Sequence, residues 1–184
     1  IMPRTLQIAV EKGWMITEDK EVYRDPLKNR HFAQTEAKVL NEGQQIAYQA
    51  VKEKIDSNQH DVFLLKGVTG SGKTEVYLQL IGEVLAQNKT ALMLVPEIAL
   101  TLQTVNRFYQ RFGDRVSVMH SRLSEGERSD QFLRAKNGEI DIMIGPRSAL
   151  FTPFQNLGLI VIDEEHENSY QSEMPPKYHA REVA

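Results

Sequence analysis

Residues 67–74 read Gly-Val-Thr-Gly-Ser-Gly-Lys-Thr, which matches the pattern G-x-x-x-x-G-K-[ST] of a loop that binds phosphate. Glycine is needed here because the backbone must fold tightly around an anion, in conformations that are closed to other residues. The N–H groups of such a loop point inward, and the positive end of the following helix adds to their attraction for phosphate. Within this loop, Lys73 is expected to reach the β- and γ-phosphates and Thr74 to ligate Mg²⁺. The predicted nucleotide-binding residues are Gly67, Val68, Thr69, Gly70, Ser71, Gly72, Lys73 and Thr74.

The sequence on either side of this loop is typical of a strand followed by a helix. Residues 62–65 form an apolar run, which predicts a buried strand over residues 62–66. Between residues 76 and 85 apolar side chains recur at helical spacing, which predicts a helix over residues 74–86. Strand, glycine loop and helix form the context that the phosphate-binding pattern requires. The alternative is a glycine-rich turn that binds no ligand.

The rest of the chain repeats this alternation. Apolar runs predict further strands over residues 91–95, 116–119, 140–144 and 158–162, and amphipathic patterns predict helices over 46–55, 98–112 and 125–137. Continuous apolar strands that alternate with amphipathic helices are typical of a mostly parallel sheet covered on both faces. We therefore predict an α/β fold, a P-loop domain with flanking helices, over residues 36–184.

Residues 1–35 have a different pattern. A short helix over residues 4–12 and two short strands at 14–16 and 21–24 predict the remains of a winged-helix module, followed by a polar linker. The alternative is a disordered lead-in. Because the first and last elements are abrupt, we expect the chain to be a piece of a larger protein.

The composition excludes several classes of protein. The 184 residues include no cysteine, so disulfides and a cysteine-ligated zinc site are ruled out within this chain. No run of 18 apolar residues occurs, so no membrane span is expected. The net charge is −3, but residues 100–150 carry eight Arg or Lys against six Asp or Glu, and residues 152–184 carry two against six. A polyanion surface is therefore expected in the middle third, with an acidic centre near the end.

Three acids and a histidine follow the last predicted strand: Asp163, Glu164, Glu165 and His166. Ligands bind at the carboxyl ends of strands in open α/β sheets, so these carboxylates are expected beside the phosphate loop. Asp163 is predicted to hold Mg²⁺, and Glu164 to orient and deprotonate the attacking water. Adjacent acids at a buried strand end are costly unless a cation offsets their charge. The alternative is a solvated acidic turn, and His166 either couples the nucleotide to another site or only caps or packs.

Asn41 and Gln44 precede the phosphate loop and have two interpretations. Their spacing is that of a helix N-cap with a capping box. The Gln44 amide also suits the edge of adenine, as glutamine does in nucleic-acid recognition. Both roles hold at once only if the amide is free.

Six motifs then form a set. They are G-V-T-G-S-G-K-T, V-P-E-I-A-L-T at 95–101, H-S at 120–121, R-S-A-L-F-T-P-F at 147–154, D-E-E-H at 163–166 and Y-H-A-R at 178–181. The set resembles that of the superfamily-2 helicases, most closely the bacterial replication-restart helicases, over about residues 20–184. The resemblance implies a RecA-like first helicase lobe preceded by the tail of a winged-helix region.

In that family two segments, here 96–103 and 145–151, line the track of single-stranded DNA. Thr101, Gln103, Arg147 and Ser148 offer short donors and one guanidinium, which suit sequence-independent contacts to phosphate oxygens. The alternatives are an ion pair within the domain for Arg147 and a solvated helix face for Thr101 and Gln103.

The family also has an aromatic-rich loop after D-E-E-H that links DNA occupancy to ATP hydrolysis. Tyr170 matches this loop, as does Tyr178, and both are predicted to contact DNA by stacking on bases. The loop contains no Trp here, and the alternative is a bland surface loop.

The resemblance implies an ATP-driven 3′→5′ DNA helicase that reloads the replication machinery at stalled forks, with ATP and Mg²⁺ as cofactors. The implied partners are forked and single-stranded DNA, single-strand-binding protein and primosome loading proteins, and the implied location is cytoplasmic and nucleoid-associated in a bacterium. Leu102 and Pro146 depart from the family pattern, and Pro146 removes one N–H donor. The family's second lobe, its arginine finger and its zinc module have no counterpart in these residues. This chain is therefore expected to bind nucleotide but to hydrolyse it slowly.

Other functions stay open. A P-loop small-molecule kinase would need an Arg-bearing lid and an acceptor pocket, and neither is visible in the sequence. A non-catalytic nucleic-acid or partner-binding module would carry only a relic of the loop. Another superfamily-2 translocase, such as a restriction or chromatin motor, shares every residue role named above.

Overall fold

The structure, a computed structural model, describes residues 4–16 and 33–184. Its centre is a parallel four-stranded sheet in the order β2-β3-β1-β4. The strands are β1 (Thr90–Leu94), β2 (Val116–Val118), β3 (Ile142–Gly145) and β4 (Leu157–Ile162). The helices are α1 (Arg4–Glu11), α2 (Glu42–Asp56), α3 (Lys73–Ala86), α4 (Leu102–Phe112), α5 (Glu125–Lys136) and α6 (Ala180–Val183). Short 3₁₀ turns cover Glu97–Ala99, Gly113–Arg115, Arg147–Phe151 and Asn168–Tyr170. The prediction of a mostly parallel α/β sheet with flanking helices is confirmed.

Two helices begin with the capping boxes that the sequence predicts. At α2 the Asn41 side chain accepts from the Gln44 N–H at 2.9 Å, and the Gln44 side chain accepts from the Asn41 N–H at 2.9 Å. At α5 the same exchange joins Ser124 and Glu127. Each box satisfies two N–H groups that a helix start otherwise leaves without a partner.

Both faces of the sheet are buried, and β1 shows why its sequence is a continuous apolar run. Ala91 and Met93 lie in the core cluster formed with α3 and α4. Leu92 and Leu94 point to the opposite face, into the cluster that includes α5 and the loop after β4. Alternate side chains of a strand leave on opposite faces, so a strand that is covered twice needs apolar residues at every position.

The predicted strand over residues 62–66 is wrong. These residues carry no ladder hydrogen bonds to the described strands, and Val62 is 83% and Leu64 77% exposed. Leu65 alone packs against the core clusters. An apolar run favours a strand, but a strand exists only where a neighbouring backbone pairs with it.

The helix predicted over residues 98–112 begins later than predicted. Helix α4 begins at Leu102, because Thr101 caps it by accepting from the Thr104 N–H at 3.2 Å. Ile98 lies in a separate 3₁₀ turn and is exposed, as is Leu102. The apolar face of α4 that enters the core therefore starts one turn later, at Val105.

Helix α1 matches the first helix predicted for residues 4–12. Residues 14–16 form no strand, and the predicted strand at 21–24 lies outside the described residues. The winged-helix assignment and the boundary at residue 35 stay predictions. Among the helices described, none is both long enough and apolar enough to cross a membrane.

Candidate nucleotide-binding site

The phosphate loop leads into α3, and the acidic run follows the carboxyl end of β4. Helix α3 begins at Lys73, directly after the glycines. Asp163 follows β4, and its N–H extends the ladder by donating to the Leu94 carbonyl oxygen at 2.9 Å. Burial raises the pKa of the Asp163 carboxyl, and the Lys73 ammonium and the Tyr77 hydroxyl of α3 act in the opposite direction, which places both groups on the side of this carboxyl. The cation and the carboxylate therefore face one site.

The loop has the backbone that phosphate binding requires. Gly70 has φ = +81° and Gly72 has φ = +84°, a region that other residues rarely adopt. A Cβ at Gly67 would lie 2.8 Å from Ser71 Oγ, so a side chain at this position would displace the Ser71 hydroxyl. Lys73 Nζ donates back to the Gly67 carbonyl oxygen at 2.7 Å and to the Val68 carbonyl oxygen at 3.3 Å. Its ammonium thus lies across the mouth of the loop, on neutral acceptors that an anion can replace.

Two further residues of the predicted site complete the start of α3. Thr74 is half-buried in the first turn of the helix, next to Lys73, whereas Thr69 is exposed in the loop. The donor set of an ammonium, backbone N–H groups, a hydroxyl and a nearby carboxylate fits a nucleotide phosphate with Mg²⁺. The chemistry of the described residues therefore fits the expected cofactors, ATP and Mg²⁺.

Gln44 braces the loop in this structure. Its Oε1 accepts from the Asn41 N–H, and its Nε2 donates to the Ser71 carbonyl oxygen at 2.8 Å. The packing is tight, because a Cβ at Gly72 would lie 2.3 Å from Gln44 Nε2. Each end of the amide makes one hydrogen bond, which leaves one N–H and one lone pair for a contact with adenine. The adenine role stays a prediction.

The acidic run is shaped by burial and by its backbone. Burial raises the pKa of the half-buried Asp163 carboxyl, and the adjacent Glu164 charge raises it further. Glu164 has φ = 51°, an uncommon value for a residue with a side chain, and its N–H donates to Asp163 Oδ1 at 3.1 Å. The Glu164 side chain is exposed, with Oε2 at 3.7 Å from His166 Nε2. Asp163 is thus half-buried, whereas Glu164 is exposed to water.

Tyr170 has a different place from the one predicted. Its side chain is 1% exposed in the core cluster, and its hydroxyl donates to the Asp163 carbonyl oxygen at 2.7 Å. Stacking on a base needs an open ring face, so this burial contradicts the predicted DNA contact.

The sequence reasoning also missed Tyr77, which lies in the apolar stripe of α3. A buried tyrosine hydroxyl usually needs a hydrogen-bond partner, so a tyrosine in an apolar helix stripe is itself a sign of a polar group nearby.

The remaining predicted DNA contacts lie at the same edge of the sheet. Thr101 and Gln103 are exposed at the start of α4, after β1. Arg147 and Ser148 are half-buried after β3, and the two strands stay joined there by the bond from the Val95 N–H to the Gly145 carbonyl oxygen at 2.9 Å. No described acid pairs with Arg147, which instead donates to the carbonyl oxygen of Ser169 at 3.3 Å and to that of Gln171.

Tyr178 pairs with a ring that the sequence reasoning did not single out. Its ring centroid lies 5.4 Å from that of Phe151 in an edge-to-face contact with an interplanar angle of 77°. Phe151 is exposed and Tyr178 is half-buried. This pair presents aromatic surface beside Arg147, at the position where a stacking platform was predicted.

Comparison with known proteins agrees with this geometry. The family described as type III restriction enzyme, res subunit, matches residues 37–183. The chain is 52% identical over 180 residues to Replication restart protein PriA of Bacillus subtilis (strain 168), covering 98% of this chain and 22% of that protein. It is 43% identical over 185 residues to the protein of that name from Chlamydia trachomatis, covering 100% of this chain and 25% of that protein. A third, from Synechocystis, is 45% identical over 184 residues, covering 98% and 21%. The chain therefore spans about a fifth to a quarter of these relatives, and it belongs to the helicase family of the type III restriction enzyme res subunit.

Proposed function

We propose that this chain is the ATP-binding lobe of an ATP-dependent DNA helicase that acts in replication restart. The observation that carries the proposal is the glycine loop itself, in which Gly70 and Gly72 have left-handed φ and Lys73 Nζ lies on the carbonyl oxygens of Gly67 and Val68. The family match and the similarity to proteins named Replication restart protein PriA support the replication role. Movement in the 3′→5′ direction, action at forks and a cytoplasmic, nucleoid-associated location belong to the same proposal.

The chain's own residues divide the work of holding the nucleotide. The N–H groups of residues 67–74 and the Lys73 ammonium bind the phosphates. Thr74 and Asp163 hold Mg²⁺, which when bound neutralises charge on the transferred phosphoryl group. The raised pKa of Asp163 follows from burial. A positive charge beside this carboxyl favours its ionised form and so offsets the burial.

Glu164 is the residue placed to take a proton from water. It is exposed, adjacent to Asp163, and fixed at its backbone by the hydrogen bond to Asp163 Oδ1. A general base needs access to the water that it deprotonates, and Glu164 is more exposed than the half-buried Asp163. The catalytic site is proposed to be completed by an arginine from outside residues 1–184, since such a residue increases the rate of hydrolysis about 10³–10⁵-fold. We therefore expect this chain alone to hydrolyse ATP very slowly.

Nucleic acid is proposed to lie along the segments that follow β1 and β3. Thr101, Gln103, Arg147 and Ser148 contact phosphates without reading sequence, and the Phe151–Tyr178 pair supplies ring surface for bases. Forked and single-stranded DNA are the proposed substrates, with single-strand-binding protein and primosome loading proteins as partners. The remaining N–H and lone pair of the Gln44 amide are proposed to bind the edge of adenine.

A titration with a fluorescent ATP analogue and Mg²⁺ tests the site. Lys73→Ala is expected to weaken binding by at least tenfold, because an ion-assisted contact to phosphate is lost. Lys66→Ala is the matched control, since it removes the same charge from an exposed position just before the loop. Equal affinity of Lys73→Ala and wild type would mean that the loop is a relic.

The reaction is tested in the full-length protein. We expect single-stranded DNA to stimulate release of inorganic phosphate and Glu164→Gln to abolish it. Transfer of phosphate to a small molecule would instead identify a kinase. The family match to a restriction enzyme subunit also keeps a different translocase as a second candidate. Translocation without unwinding of a forked duplex would favour that candidate.

A further inference from the structure

A cavity of about 360 Å³ lies between the start of α4, the end of β2 and the loop that follows β2. Its volume is near the lower end of the range for small-molecule sites, roughly 300–1,000 Å³, so it suits one flat heterocycle. The lining residues that matter for its chemistry are Leu100, Leu102, Tyr109, Ser117, His120 and Arg122. None of these residues contributes to the nucleotide site, so this α4 cavity is a separate place for a ligand.

The walls of the α4 cavity are mostly apolar and partly open to water. Leu102 is 61% exposed at the first position of α4, and Leu100 is half-buried just before the helix. Val105 and Tyr109 line the cavity one and two turns further along α4, and both are buried. An exposed leucine beside an open apolar cavity gains free energy when a flat apolar face covers it.

The floor of the cavity is polar and buried. Ser117 and Gln131 are each 2% exposed, and the Ser117 hydroxyl donates to Gln131 Oε1 at 2.7 Å. The same oxygen of Gln131 accepts from the Arg134 guanidinium at 3.0 Å. Because the one hydrogen of the Ser117 hydroxyl is committed, this group can only accept from a ligand. Every nucleobase carries an N–H group, so the floor suits any of them.

The mouth of the cavity adjoins residues that are proposed to contact phosphates of the strand. Thr101 lies between the two wall residues Leu100 and Leu102, and it is exposed. Gln103 is exposed one residue further on. A nucleotide whose phosphate binds at Thr101 therefore has its base next to the walls of the cavity, since one sugar joins the two groups.

The loop after β2 is held at the opposite side of the mouth by Glu97. The Glu97 carboxylate accepts from the Ser121 N–H at 3.0 Å. The hydrogen bond from the Ser121 hydroxyl, with this N–H and the nearby His120 and Arg122, holds the pKa of Glu97 below its ordinary value against its partial burial. The loop is therefore fixed without a ligand, and the exposed Arg122 guanidinium at its end can bind a backbone phosphate.

We infer that the α4 cavity receives one base of the bound strand, turned out of the stack, while Thr101 and Arg122 hold the adjacent phosphates. The inference rests on the proposed function and adds to it a base subsite, which the His120–Ser121 motif helps to frame. Every base has an apolar face, so apolar walls with one acceptor at the floor tolerate all bases. The subsite is therefore expected to hold purines and pyrimidines alike.

The test uses the full-length protein and a duplex with a single-stranded tail, from which one tail base at a time is removed while its phosphate stays. In wild type, removal of the base that occupies the cavity is expected to weaken binding about five- to tenfold, the scale of one stacking contact. In Leu102→Ala, which shortens the exposed wall without entering the core, the same removal is expected to cost at most about twofold. Val105→Phe fills the cavity with a ring and is expected to abolish the cost at the same tail position.

Two further variants serve as controls. Leu133→Ala removes a leucine of α5 that is 41% exposed and does not line the cavity, so it is expected to keep the wild-type cost at every tail position. Phe151→Ala is expected to remove the cost at a different tail position, since its ring is proposed to stack on another base. A 5-iodouracil placed at the position that depends on Leu102 is expected to form a photo-cross-link within residues 100–122.

The outcomes separate this inference from the proposed function. If base removal costs as much in Leu102→Ala and Val105→Phe as in wild type at every position, the cavity takes no base, and the helicase proposal remains. Thymidine monophosphate, added with a saturating ATP analogue, tests a free nucleotide as the source of the base. Binding of this probe to wild type but not to Leu102→Ala, with no tail position that depends on Leu102, would also overturn the inference. A wild type that does not bind the tailed duplex would refute the proposed function and the inference together.

Discussion

Glu75 carries the ion pair that joins the helix of the nucleotide loop to α4, and replacing it tests how much a buried charge contributes here. Its carboxylate accepts from the Arg111 guanidinium at 2.9 Å, from the Lys38 N–H at 3.0 Å and from Gln79 Nε2 at 3.0 Å. The side chains of Arg111 and Glu75 are only 13% and 14% exposed. Removing one partner of a buried pair costs about 3–5 kcal/mol, because the other charge is left uncompensated.

Glu75→Gln is the sharpest form of the change, since it keeps the shape and an acceptor for the Lys38 N–H. We expect a loss near the lower limit, about 3 kcal/mol, in the free energy of unfolding. For a chain of this size that corresponds to a decrease of about 6–12 °C in melting temperature. Urea unfolding followed by far-ultraviolet circular dichroism measures the loss, and an unchanged slope with urea shows that only stability has changed.

Glu83→Gln is the control on the same helix. Its partner Lys52 lies at 2.7 Å, but the two side chains are 27% and 32% exposed, so we expect a loss of at most about 1 kcal/mol. Adding Arg111→Met to Glu75→Gln should restore part of the stability, because the unpaired buried charge is then removed. Equal losses in the two single variants would refute the reasoning that burial decides the cost.

Four further predictions concern stability. Burial raises the pKa of Glu75, but the hydrogen bonds from Gln79, the Lys38 N–H and Arg111 outweigh it and hold the pKa below the ordinary 4.5. The stability that ionised Glu75 contributes is therefore complete above pH 4.5 and is lost as the pH falls through the lower pKa of the folded state. Urea midpoints measured at several pH values should fall more steeply in wild type than in Glu75→Gln. A Cβ at Gly145 would lie 2.9 Å from a backbone carbonyl oxygen, so Gly145→Ala should cost about 1–3 kcal/mol. Gly82 lies in the middle of α3 with no atom within 4 Å of a new Cβ, so Gly82→Ala should instead raise the free energy of unfolding by about 0.5–1 kcal/mol. A lower free energy of unfolding in this variant would contradict the prediction. Buried Ser117 donates to Gln131 Oε1 at 2.7 Å, so Ser117→Ala should cost about 1–3 kcal/mol in the same assay, and a neutral result would show that Gln131 is satisfied without it.

Local patterns determined much of this protein. The glycine, lysine and threonine positions of residues 67–74 predict the loop, and the capping boxes at α2 and α5 predict where two helices begin. Of the five strands predicted for the α/β domain, four are present, as is the parallel sheet. These features depend on near neighbours in sequence, where backbone conformation, capping and apolar period act directly.

Tertiary structure decided the features that depend on distant partners. Residues 62–66 have the composition of a buried strand, yet no described strand pairs with them. Tyr170 and Tyr178 read alike as loop aromatics, but only packing places Tyr170 inside the core with its hydroxyl on Asp163. Arg147 binds carbonyl oxygens of the turn after β4 because the fold of that turn brings them to it. Sequence sets what a side chain can bond to, whereas its partner, 7 residues away for Tyr170 and 22 or 24 away for Arg147, is fixed only when the chain has closed around both.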